Sequence, residues 1–144
     1  MYFLAIMCCK NRLSSIEKQK EQLKNIEKYP IVYYYFIGNL EIENDYEIDE
    51  KKRVVTLKCP DDYINLPNKT YNILKFVKEK YPNIQGIFKT DDDININIAE
   101  LYKLLEEHKD IDYWGRRVIN KGKNSNYFNS NRFNMVLREN SIKI

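Results

Sequence analysis

Asp91, Asp92 and Asp93 stand side by side inside the stretch GIFKTDDDININ. Three carboxylates this close repel one another, and burial makes the repulsion worse. A divalent cation relieves it, and hard carboxylate oxygens suit Mg²⁺ or Mn²⁺, which keep coordination positions open for substrate phosphates. In extended backbone, side chains alternate in direction. Asp91 and Asp93 then point one way and Asp92 the other, an Asp-x-Asp pair with a third acid behind it. The plainer alternative is a solvated acidic turn that caps the helix after it. Two other aspartate chemistries fail on spacing. An EF-hand loop counted from Asp91 needs Gly at its sixth position and Glu at its twelfth, where Ile96 and Tyr102 stand. A haloacid-dehalogenase-type phosphatase needs Thr or Val where Asn95 stands.

The surrounding elements decide what such a cluster can do. The continuous apolar run Tyr2–Cys9 reads as a strand covered on both faces. Leu13, Ile16, Leu23 and Ile26 recur at helical spacing between charges and predict an amphipathic helix. Ile31–Gly38 reads as a second strand, Asn39–Lys52 as an acidic loop, and Arg53–Cys59 as a third strand. Pro67 suits the first turn of a helix that presents Tyr71, Leu74 and Val77 and stops at Pro82. Asn83–Thr90 is a fourth strand that delivers the aspartates at its end. Asn97, with Glu100 three residues on, makes a capping box for the next helix. Ile111–Ile119 is a fifth strand. Strands alternating with helices imply an α/β fold, a Rossmann-like, mainly parallel sheet flanked by helices. Ligands of such sheets bind beyond the carboxyl ends of the strands, where the triplet lies. Residues 1–119 form the expected domain, and 120–144 a polar tail with one weak terminal element.

Composition narrows the partners. The 144 residues carry Lys+Arg 24 against Asp+Glu 21, a net charge of +3, too balanced to argue for nucleic acid or an anionic membrane. Cys8, Cys9 and Cys59 match neither a disulfide framework nor a zinc spacing. The apolar start lacks a positive flank and is too short to span a bilayer, so the expectation is a soluble, cytoplasmic chain. His108, the lone histidine, reads as a helix-end residue rather than a metal ligand.

FKTDDDININ resembles the Asp-x-Asp segment of the β-1,3-galactosyltransferase and fringe family, with Lys89, Asp91, Asp92, Asp93 and Asn97 in place. Upstream, DDYINLPNKT is similar to a second motif of that family through Asp61, Tyr63, Asn65, Leu66, Lys69 and Thr70, with Pro67 in place of Thr. DYWGRRV resembles the family's Tyr-x-Gly strand, and Arg12 and Ile16 match part of its first motif. The resemblance implies a GT-A glycosyltransferase that moves a sugar with inversion from a nucleotide-sugar, commonly a UDP-sugar, to a glycan or protein acceptor. It implies Mn²⁺ or Mg²⁺ held by Asp93, with Asp91 a second metal-side carboxylate. Asp91 and Asp92 would touch the ribose or act through water. Arg12, or Lys10, would meet the base or phosphates, the plainer and preferred reading being a solvated loop charge. Charge pairing would set Lys69 against the acidic cluster, the alternative being an exposed helix lysine. Trp114 could stack on a sugar, though a lone Trp in a strand is more often core, and Arg116 or Arg117 could face phosphates.

The family places its catalytic base well downstream of the Tyr-x-Gly strand. Glu139 is the sole acid after Asp112. The donor half is therefore expected present and the acceptor half shortened. One reading is a compact transferase that borrows its acceptor site from a partner or a second copy of itself. Another is a module that binds a nucleotide-sugar or metal without catalysis. The third is a remnant whose aspartates only cap a helix.

Overall fold

Six consecutive buried residues, Tyr2–Met7, form β1 at the centre of the sheet. The computed structural model describes residues 1–114 and 135–137. β1 runs parallel to β2 (Ile31–Gly38) on one side and to β5 (Gly86–Asp91) on the other. β4 (Val54–Leu57) adds a fourth parallel strand beyond β2. β3 (Tyr46–Asp49) closes that edge antiparallel to β4. β7 (Met135–Leu137) pairs antiparallel with β5, and β6 (Tyr113–Trp114) with β7. The seven-stranded order is β3-β4-β2-β1-β5-β7-β6. The parallel centre explains why the β1 and β2 runs are apolar throughout, because both of their faces are covered.

Helices cover both faces. Tyr2, Leu4, Ile6 and Cys8 pack in one cluster with Ile16 of α1 (Ile16–Gln22) and with Ile98, Leu101 and Leu105 of α3 (Ile98–Glu107). Phe3, Ala5 and Met7 point the other way, against Ile73, Phe76 and Val77 of α2 (Leu66–Lys80). Pro67 sits in the first turn of α2 as expected. The asparagine cap of α3 is formed, the Glu100 amide donating to the Asn97 side chain at 3.2 Å.

Three local expectations change. The single helix expected across Leu13–Ile26 is a 3-10 helix, Lys10–Ser15, then the two-turn α1, then a 3-10 turn, Ile26–Lys28. Leu13 with Ile16 and Leu23 with Ile26 are each three apart, which suits the tighter 3.0-residue turn as well as an α-helix. The buried face of α2 is Lys69, Ile73, Phe76 and Val77, leaving Tyr71 half exposed. The acidic segment Asn39–Lys52, expected as a loop, contains β3. Its charges sit on an edge strand, where they discourage further pairing. The weak terminal element expected in 120–144 is β7, beside the strand that carries the aspartates. The expected strand from Ile111 is described only as Tyr113–Trp114. Arg116, Arg117, Glu139 and the bulk of the 120–144 region lie outside the described residues, as does the Trp114 side chain.

Among the described residues no helix is long and apolar enough to cross a membrane.

Candidate functional site

Strand order places the site. From β1 the chain crosses to β2 on one side. From β4 it returns over β2 and β1 to β5 on the other side. The crevice outside the carboxyl ends of β1 and β5 is the switch point where open α/β sheets bind ligands. Two segments border it: Cys8–Ser15 after β1 and Asp91–Asn97 after β5. Asp91 pairs in register with Met7 as the last residue of β5. The Asp92 amide donates to the Met7 carbonyl at 3.0 Å, extending the ladder one step into the turn.

The three aspartates differ in surroundings. The Asp92 side chain is only 4% exposed and forms an ion pair with Arg12, Nη1 to Oδ1 at 3.2 Å. Its other oxygen accepts from the Cys8 thiol at 3.2 Å. Asp91 is partly exposed and Asp93 exposed. The Asp92 side chain turns into the fold, whereas Asp93 is exposed. Burial, reinforced by the adjacent Asp92 carboxylate, pushes the Cys8 thiol up to about 12. It therefore stays a neutral donor to Asp92 at any physiological pH. Lys89, two residues before Asp91 on the same face, has its pKa lowered by burial, with the Asp91 charge opposing that shift.

Arg12 and Asp92 are therefore brought together, but as each other's partner. Lys69 corrects the expectation that it pairs with the aspartate triplet. Its side chain is 3% exposed and its ammonium meets Asp61 Oδ1 at 2.5 Å and the Cys8 carbonyl. A lysine on an α2 face turned to the sheet cannot reach solvent, so it needs a buried acceptor set. Asp61 supplies it and does more: Oδ1 also accepts from the Gly38 amide at 2.9 Å and Oδ2 from the Lys10 amide at 2.7 Å. One carboxylate thus ties the ends of β1, β2 and β4 to the start of α2. Sequence reasoning matched Asp61 to a motif but gave it no role. The signal was its spacing, eight residues before Lys69 across a helix start.

α1 holds the far side of the aspartate turn. Gln19 Nε2 donates to the Ile94 carbonyl at 3.0 Å, and Gln22 Nε2 to Asn95 Oδ1 at 2.8 Å. The Ile96 amide returns a bond to Gln22 Oε1 at 3.3 Å. Neither glutamine could be told from a solvated helix residue by type or spacing. His108 is the C-cap of α3, its amide donating to the Leu104 carbonyl, as expected.

A galactosyltransferase family model matches residues 15–141, most of the chain. This chain belongs to the galactosyltransferase family. No curated protein matches it. The parallel α/β sheet with its acids at the end of β5 is the Rossmann-like GT-A arrangement of a glycosyltransferase of this family. For a galactosyltransferase-family site, the donor set is open. Among the described residues, no three His, Cys, Asp or Glu side chains converge as a metal cage. Asp91 and Asp93 carry carboxylate oxygens, a donor type that suits Mg²⁺ or Mn²⁺.

Proposed function

We propose that the chain transfers a sugar from a nucleotide diphosphate donor, a UDP-sugar, to an acceptor hydroxyl, with Mn²⁺ or Mg²⁺ at Asp93 and Asp91. The observation that carries this reading is the position of the aspartate turn at the carboxyl end of β5, beside the end of β1, with Asp92 committed to Arg12 and Cys8. Asp93, in the turn that follows β5, is the main metal ligand and Asp91 its support. Held by these two carboxylates, the cation would supply neutralisation of the charge on the departing diphosphate. The chain's own residues orient the donor: the turn after β5 fixes the two carboxylates, and the 3-10 helix after β1 walls the opposite side. Transfer is inverting, the acceptor oxygen bonding to the anomeric carbon as the bond to the diphosphate breaks. A general base takes the acceptor proton. The family places that base well downstream of the Tyr-x-Gly strand, and no residue of this chain is assigned the role. The acceptor is a glycan or protein hydroxyl.

Calorimetric titration of UDP in the presence and absence of Mn²⁺ tests the donor half, and hydrolysis or transfer from a UDP-sugar tests catalysis. Binding that needs the metal and is lost in Asp93→Asn supports the site. Binding without any turnover would make the chain a nucleotide-sugar module instead. No heat with UDP and Mn²⁺ together would sink both readings and leave the aspartates as a helix-leading turn.

A further inference from the structure

We infer that Arg12 is a positioning residue that sets the Asp91–Asp93 pair by holding the middle aspartate, with the Cys8 thiol as the second hand of the same lock. This deepens the reading above and rests on it for its functional consequence, though not for its structural one. The turn from Asp91 to Asn97 is held in two places. Gln19 and Gln22 of α1 bind its distal part, Ile94 to Ile96. Nothing in that set fixes the proximal part, which carries the carboxylates. Among its attachments there are the Asp92 amide on the Met7 carbonyl and the Asp92 carboxylate on Arg12 and Cys8.

These contacts tie β5 to the end of β1 and to the 3-10 helix after it, across the mouth of the crevice. A carboxylate 4% exposed is held by one charged and one neutral donor. Removing the charged donor leaves a buried, half-satisfied anion, which relaxes by turning towards water. That rotation carries Asp91 and Asp93, one residue either side, out of alignment. Displacements on the order of 1 Å in a binding constellation are enough to cost large factors in function. In this assignment Arg12 acts through Asp92 rather than by touching the base or phosphates, and Asp92 is a structural acid rather than a ribose contact.

The test reads two things in Arg12→Gln, Asp92→Asn, the double variant and Arg12→Lys: hydrogen exchange of the Asp92 amide without ligand, and Mn²⁺-dependent UDP affinity. Each single variant is expected to speed exchange at Asp92 and to weaken UDP–Mn²⁺ binding, each by about tenfold. The double variant should be no worse than either single, the non-additivity of one shared contact. Arg12→Lys should recover part of both readouts, which a loss of general stability would not do. The Lys10 and Gly38 amides, held by Asp61, should exchange as in the parent. If Arg12→Gln proves too unstable, Cys8→Ala removes only the neutral donor and should give a smaller shift in the same direction. Unchanged exchange at Asp92 in the single variants, or strict additivity in the double, overturns the lock. If the parent chain binds no UDP with Mn²⁺ yet the exchange coupling holds, the lock stands and the transferase reading falls. If the parent binds and Arg12→Gln alters neither readout, the reading stands and the lock falls.

Discussion

At the scale of single residues, the most consequential polar contact is one that carries no chemistry. Lys69 and Asp61 meet at 2.5 Å with side chains 3% and 18% exposed. Breaking a buried pair from one side costs more than the pair itself contributes, because a buried charge is left without its partner. Lys69→Ala is therefore expected to lower stability by about 3 kcal/mol, read as a fall in the urea midpoint with an unchanged slope. Asp61→Asn should lower it as well, since the amide keeps an acceptor for a backbone N–H but loses the charge. Cys8 gives a prediction in pH. Its folded pKa is raised from 9.0 to about 12 by burial and by Asp92. Between those values the unfolded chain releases a proton that the folded chain keeps, so the folded form loses stability as pH rises through that window. Urea midpoints should fall from pH 8 to pH 10.5, and less steeply in Cys8→Ser. At pH 8 the thiol-reactive reagent iodoacetamide should label partly exposed Cys9 before buried Cys8, as followed by mass spectrometry.

At the scale of elements, hydrophobic pattern made the strands legible and their edges less so. β2 spans Ile31–Gly38 as its β-branched and aromatic run predicts, because a strand covered on both faces cannot carry polar residues. β3 was hidden for the converse reason: Glu47 and Asp49 on an exposed edge look like loop residues. On α2 the expected stripe meets the buried face at Val77 but not at Tyr71, because the buried position Lys69 counts as polar in any pattern. The cap of α3 was visible because it needs only a side-chain type at a fixed offset. Asn97→Ala should lower stability by about 1 kcal/mol, measured by thermal unfolding, as the Glu100 amide loses its acceptor. Gly38 ends β2 where the chain after β4 passes close by. A Cβ there would stand 2.6 Å from the Cys59 carbonyl oxygen and 2.8 Å from that of Pro60. Both are backbone atoms, so Gly38→Ala must push that segment and Asp61 away from the sheet. A loss of about 2 kcal/mol in the urea unfolding free energy is expected.

At the scale of the whole molecule, the sequence placed the acids at the right end of the right strand but could not say which partners they would have. Alternation separated Asp92 from its neighbours. Arg12 and Cys8 reach Asp92 only once strand order is known, because β1 and β5 are adjacent in space and far apart in sequence, Cys8 to Asp92 being a separation of 84. The same topology has a thermodynamic consequence. The crevice lies between two segments that belong to different crossovers, one after β1 and one after β5. A ligand spanning both binds the folded chain and not the unfolded one. Such a ligand stabilises by mass action, about 2.7 kcal/mol at a hundred times its dissociation constant. Asp91 and Asp93 repel a diphosphate on their own, and a lone cation finds only two carboxylates on one side. Each component should therefore do little alone. The expected result is a thermal midpoint raised by several degrees with UDP and Mn²⁺ together, and by little with either separately. Asp93→Asn should abolish the joint effect. A midpoint that rises equally with UDP alone would place the nucleotide away from the aspartates.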